Sequence, residues 1–137
     1  LVTFIERNAN WKLERGKFMA VAQEILTNDG QFESYIDHFF QRIVDYLEDT
    51  YGSCIEDIIL NPGIIEITIN GQAKIVINQH VPMRQIWYAS PISGASHFKV
   101  GEGEWVLTQN NSQKFIDLLQ EELTILLNQS VQIPNVS

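Results

Sequence analysis

Cysteine is almost missing: Cys54 stands alone in 137 residues, so neither an intrachain disulfide nor a cysteine zinc knuckle can form, which suits a reducing compartment. A single thiol of this kind is ordinarily a small core residue rather than a nucleophile. Basic residues are also scarce. Lys and Arg number 9 against 17 Asp and Glu, a formal charge of -8. Nucleic acid and anionic membranes need clustered cations and are therefore excluded as expected partners. Cations or basic proteins are the natural counterparts. No apolar run approaches the ~20 residues that span a bilayer, and no signal-peptide core is visible, so no membrane association is expected. What the chain does have is 45% apolar content, enough for one two-layer core.

Residues 1–28 read as an N-terminal extension that mixes Arg7, Lys12, Arg15 and Lys17 with Glu6, Glu14 and Glu24. Native leader, processing remnant and added sequence all fit it. Residues 29–130 are expected to form the domain, with 131–137 as a tail. The extension lacks the Arg- and Ser-rich character of a transit peptide, which favours a bacterial cytoplasm; the mitochondrial matrix is the alternative, since a processed matrix protein reads the same.

Phe32, Ile36, Phe39, Phe40, Ile43 and Leu47 recur at spacings of three and four, which predicts an amphipathic helix over about 30–50. Asn28 with Gln31 is its expected capping pair, and Gly52 its stop. From Ile55 the period becomes two. Ile65, Ile67 and Ile69 fall on one face, Asn70-Gly71 supplies a two-residue hairpin turn, and Ala73, Ile75 and Ile77 return. A further strand is expected over Arg84–Ala89, with short ones near His97–Val100 and Glu104–Thr108 around the Gly101-Glu102-Gly103 turn. Helical spacing resumes over Asn111–Leu127, capped by Asn110 or Asn111, with Glu122 at the margin of its apolar stripe. The fold class is α+β: two helices on one face of an antiparallel sheet of five to six strands, the other face left open.

If Ile65, Ile67, Ile69, Ile75, Ile77, Ile86 and Tyr88 face the helices, the pleat sends Lys74, Val76, Asn78, Gln85 and Trp87 outward together. A tryptophan flanked by amides on an open sheet face is a typical binding anchor, because it offers much area at little entropic cost. A covering loop or the N-terminal extension is the competing explanation.

The run from Ile77 to Gly94, INQHVPMRQIWYASPISG, resembles the frataxin signature, in which an Asn ending a strand, a Pro in the turn, Gln-Ile-Trp and Ser-Pro-x-Ser-Gly occur in that order. The resemblance extends over about Gly30–Leu127, through an acidic first helix, Gly63-Ile64-Ile65, Trp105 after a Gly turn, and Glu121-Glu122-Leu123. It implies a frataxin-like two-layer sandwich and an iron-handling regulator of iron–sulfur cluster assembly rather than an enzyme. In that family the open sheet face docks on the cysteine desulfurase and scaffold complex. Asn78, Gln85 and Trp87 match positions used for that contact, and His97 stands near a position carrying Arg or His. Gln79-His80 and Met83-Arg84 depart from the usual Lys-Gln and Asn-Lys of the turn.

Glu33, Asp37, Asp45, Glu48 and Asp49 share roughly one side of the first helix, and Glu56 and Asp57 follow it. Such a run is ordinarily a solvated face, although carboxylates one turn apart can hold a hard cation weakly with water completing the shell. The resemblance implies loosely bound Fe2+ or Fe3+ on this ridge, and a monomer that iron can drive into oligomers. His38 beside Asp37 can add a nitrogen ligand or serve as a boundary residue.

Gly101-Glu102-Gly103 is too short for a dinucleotide fingerprint, Ser93-Gly94-Ala95-Ser96 is no nucleophile elbow, and the calcium-loop spacing is absent. Glu-x-x-His pairs of the kind a dedicated ferroxidase carries are absent too. A ferroxidase or iron-storing oligomer, and an acidic interaction module without a metal role, stand as the competing functions.

Overall fold

The computed structural model describes residues 22, 25–101 and 103–134, so most of the expected N-terminal extension, and Glu102 of the expected turn, lie outside the described residues. Helix α1, Asp29–Tyr51, buries Phe32, Ile36, Phe39, Phe40, Ile43, Val44 and Leu47, the stripe expected from their spacing. Its first turn is closed by Asn28, whose Oδ1 accepts the Gln31 N–H at 3.1 Å.

Among the described residues seven strands then form one antiparallel sheet in chain order: β1 Asp57–Asn61, β2 Ile64–Ile69, β3 Ala73–His80, β4 Gln85–Ser90, β5 Gly94–Val100, β6 Trp105–Leu107 and β7 Asn110–Lys114. Helix α2, Phe115–Leu127, ends at Asn128, which adopts the left-handed conformation. Between β2 and β3, Asn70 and Gly71 have φ of 54° and 75°, the geometry that matches the twist of the strands they join.

Pairing of Ile65 with Ile77 and of Ile77 with Tyr88 aligns the inward residues of β2, β3 and β4. All of the isoleucines and the tyrosine expected to face the helices are buried. An aromatic cluster joins the two layers, with Phe115 in contact with Phe39, Tyr88 and Phe98. Ile25, Val131 and Ile133 are buried in the same core, which therefore reaches past residues 29–130 on both sides. Among the described residues no helix is long and apolar enough to cross a membrane.

Three expectations need correction. The sheet has seven strands rather than five or six, because Asn110–Lys114 pairs with β6 (Leu107 with Asn110, Val106 with Lys114) instead of opening the last helix. Asn110 does cap locally, but in the turn: its Oδ1 accepts the Ser112 N–H at 3.1 Å. Helix α2 consequently starts at Phe115 from Lys114, which makes no side-chain cap. Glu122 is not marginal either. It is only 2% exposed, and its Oε1 accepts the Tyr88 hydroxyl at 2.5 Å.

Tyr35 on α1 stacks against Phe39 and lies beside Trp105. Burial pushes its phenol up to about 12, against smaller opposing effects of hydrogen bonding with Trp105 and of the Arg42 charge. An unfolded phenol ionises near ~10, so the stability from the neutral folded form is complete below that pH and is lost as pH rises toward the folded value. Urea unfolding followed upward from about pH 10 should show Tyr35→Phe reducing the decline by up to ~1.4 kcal/mol per pH unit; an unchanged slope would show that Tyr35 is not the group responsible.

Candidate functional site

The open face of the sheet is set by register. Asn78 on β3 lies opposite Trp87 on β4, and Trp87 lies opposite His97 on β5, so the pleat points all three away from the helices. Gln85 and His80 are paired one step along. Asn78, Gln85 and Trp87 were expected on this face from strand parity, and His97 was tied to it by the resemblance alone. His80 was not singled out, and the parity it shares with Asn78 is the signal that places it here.

Gln85 and Trp87 are less open than their outward direction suggests. The Trp87 Nε1–H donates to Gln85 Oε1 at 2.9 Å, and Gln85 is only 9% exposed. Trp87 itself is half-buried. Its indole is stacked against His80 at 3.8 Å between centroids and 5° between planes, and against His97 at 4.1 Å and 7°. His97 is exposed, and Asn78 is half-buried. Imidazoles from the neighbouring strands stack on Trp87, and together with the indole they present an aromatic and amide surface.

At the near end of this surface the β3–β4 turn is held by its own side chains. Arg84 has φ of 53°, donates to the Val81 carbonyl and pairs with Asp29 at the start of α1. The departure from Asn-Lys at Met83-Arg84 therefore ties the turn to the first helix. Behind the surface, burial raises the Tyr88 phenol far above its ordinary range, with the Glu122 hydrogen bond and charge adding to it. Tyr88 thus remains a donor to Glu122 and fastens β4 to α2.

The acidic set is dispersed. Glu33, Asp37, Asp45, Glu48 and Asp49 are exposed on α1, where Asp45 Oδ1 accepts the Gln41 Nε2–H at 2.8 Å. Glu56 Oε1 lies over the β2–β3 turn, 3.7 Å from where a Cβ on Gly71 would stand. Asp57 pairs with Thr68 in register and so points to the open face. His38 Nδ1 is 2.8 Å from the Ser34 carbonyl. Among the described residues no three His, Cys, Asp or Glu side chains converge as a metal-holding group.

The sequence profile of the frataxin-like domain matches residues 25–129. The chain belongs to the frataxin family. A curated member, the mitochondrial frataxin homolog of Saccharomyces cerevisiae, is 35% identical over 98 residues, covering 72% of this chain and 55% of its own length. This chain thus spans about half of that relative. Among solved frataxins, the one from Psychromonas ingrahamii superposes with a TM-score of 0.68 at 22% identity, covering 77% of this chain and 97% of its own; at that identity the match speaks for the fold. A trimeric yeast frataxin complexed with ferrous iron is 34% identical with a TM-score of 0.58, covering 72% and 86% of the two chains. The two-layer sandwich expected from the sequence is the frataxin fold.

Proposed function

We propose that this frataxin is a non-enzymatic, iron-binding regulator of iron–sulfur cluster assembly that docks on a cysteine desulfurase–scaffold complex through its open sheet face. The observation that carries the reading is the register of Asn78, Trp87 and His97 on three adjacent strands with Gln85 bonded to Trp87. Those positions match the docking positions of the family, and the ring block provides the rigid aromatic anchor such contacts use. The charge of -8 suits a basic partner. Glu33, Asp37, Asp45, Glu48, Asp49, Glu56 and Asp57 are the proposed iron-holding carboxylates. Their exposure and separation fit cargo held loosely, with water completing the shell, rather than a resident metal centre. The compartment in this reading is a bacterial cytoplasm or the mitochondrial matrix.

Sulfide production by the desulfurase–scaffold complex, measured with ferrous iron and with or without this protein, tests the proposal. Addition of the protein should change the rate, and Trp87→Ala should lose at least about tenfold in apparent affinity for the complex while remaining folded by circular dichroism. A variant that acts like wild type would place the docking surface elsewhere.

An iron-storing oligomer is the second reading, favoured by the trimeric yeast relative complexed with ferrous iron. It requires this protein to sediment as a larger species when ferrous iron is added. A monomer at every iron ratio would eliminate it.

A further inference from the structure

His80, Trp87 and His97 stand side by side with their planes within 5° and 7° of parallel. Because β3 and β5 flank β4 on opposite sides, the two imidazoles cover both faces of the indole. A tryptophan held this way does not offer a flat face to an incoming protein. It offers the rim of a three-ring block whose outer members are imidazoles, rings that can carry either no charge or one positive charge.

His80 shows what that proton would do. Its Nδ1 lies 3.3 Å from the Met83 N–H and can only accept there, so the neutral ring carries its hydrogen on Nε2. Protonation puts a hydrogen on Nδ1, sets one N–H against another and frees the turn at Met83, a side chain already 58% exposed. The stack itself tolerates the charge, because an imidazolium against an indole face is held electrostatically.

Among the described residues the surroundings offer little to neutralise it. Asn78 and Gln85 carry no charge. On β5, Lys99 shares the outward parity of His97. Glu66 on β2 is engaged by Lys74 of β3 at 2.9 Å, and Arg84 of the adjoining turn is paired with Asp29. On β6, Lys99 is opposed by Val106, and beyond it Glu104 is engaged by Lys114 of β7 at 2.9 Å.

We propose that His80 and His97 make docking at this face proton-sensitive: neutral imidazoles let a basic partner protein seat on the ring block, and imidazolium charge repels it while loosening the Val81–Arg84 turn. The inference rests on the docking reading above, and the basic character of the partner follows from the charge of -8 on this chain.

The test measures binding of the full chain to the desulfurase–scaffold complex at pH 7.5 and 5.5, beside His80→Phe/His97→Phe, which retains flat rings without the titrating nitrogens. Wild type should weaken by about tenfold on acidification and the double variant by less than about twofold. In the unbound protein, the Trp87 indole N–H resonance, assigned by its absence from Trp87→Phe, should move with pH in wild type and hold still in the double variant. Binding at both pH values with the same pH dependence in the two proteins would overturn the proton gate and leave the docking reading standing. No binding by wild type even at pH 7.5 would overturn the docking reading, and the gate with it. An indole resonance that ignores pH in wild type would also overturn the gate.

Discussion

Tyr88→Phe should lower the free energy of unfolding by about 3 kcal/mol, although it removes a single oxygen. The hydroxyl donates to Glu122 at 2.5 Å from a site where Tyr88 is 1% and Glu122 2% exposed. Deleting the donor leaves a carboxylate buried without its partner, and the cost comes from that stranded group rather than from the bond alone. Removing both ends should therefore be milder than removing one. Tyr88→Phe combined with Glu122→Met is expected to unfold within about 1 kcal/mol of wild type. Urea denaturation of the three proteins at pH 7 measures this directly. A single variant as stable as the double would show that Glu122 finds other hydrogen-bond donors.

Phe115→Ala should cost about 4 kcal/mol, the range for truncating a large aromatic side chain in a packed core. Phe115 is the first residue of α2, and its ring lies 6.0 Å from Phe39, 6.2 Å from Tyr88 and 5.5 Å from Phe98 between centroids. The truncation opens a cavity where α1, α2, β4 and β5 meet. Phe115→Leu fills much of that volume and should cost about 1–2 kcal/mol. Thermal unfolding monitored by near-ultraviolet circular dichroism separates the two, and equal losses would mean that the ring contacts, rather than the volume they fill, carry the stabilisation.

Elements whose evidence is local were legible in the sequence. The stripe from Phe32 to Leu47 needs only its own spacing to declare a helix, and Asn28 caps it from within one turn. Asn70-Gly71 specifies its hairpin, and once that hairpin fixes parity the outward direction of Asn78 and Trp87 follows. Features that depend on residues brought together from a distance were not legible. Glu122 reads as marginal on a helical wheel because its partner, Tyr88, is on another element 34 residues away. Asn110–Lys114 is polar and followed by helical spacing, so its propensity resembles a capped helix start; pairing with β6 overrides it. The ring block required the registers of β3 and β5 against β4 together, which no single periodicity supplies. Arg84 in a left-handed conformation was likewise invisible, since its Asp29 partner belongs to a different layer.

The order of the strands in the sheet is the order of the strands in the chain, and this bears on how the molecule assembles. Every sheet neighbour is reached through a short turn, so each hairpin closes a small loop and can zip onto the one before it without waiting for remote segments. The costly closure is elsewhere. The Gln132 carbonyl accepts the Tyr46 hydroxyl at 2.7 Å across 86 residues, and the Gln132 N–H donates to the Tyr51 hydroxyl at 2.8 Å across 81. Val131 and Ile133, on either side, are buried. The C-terminal strap is thus a late clasp on a sheet that builds itself locally, and during synthesis α1 stays incompletely covered until nearly the last residues of the domain have emerged.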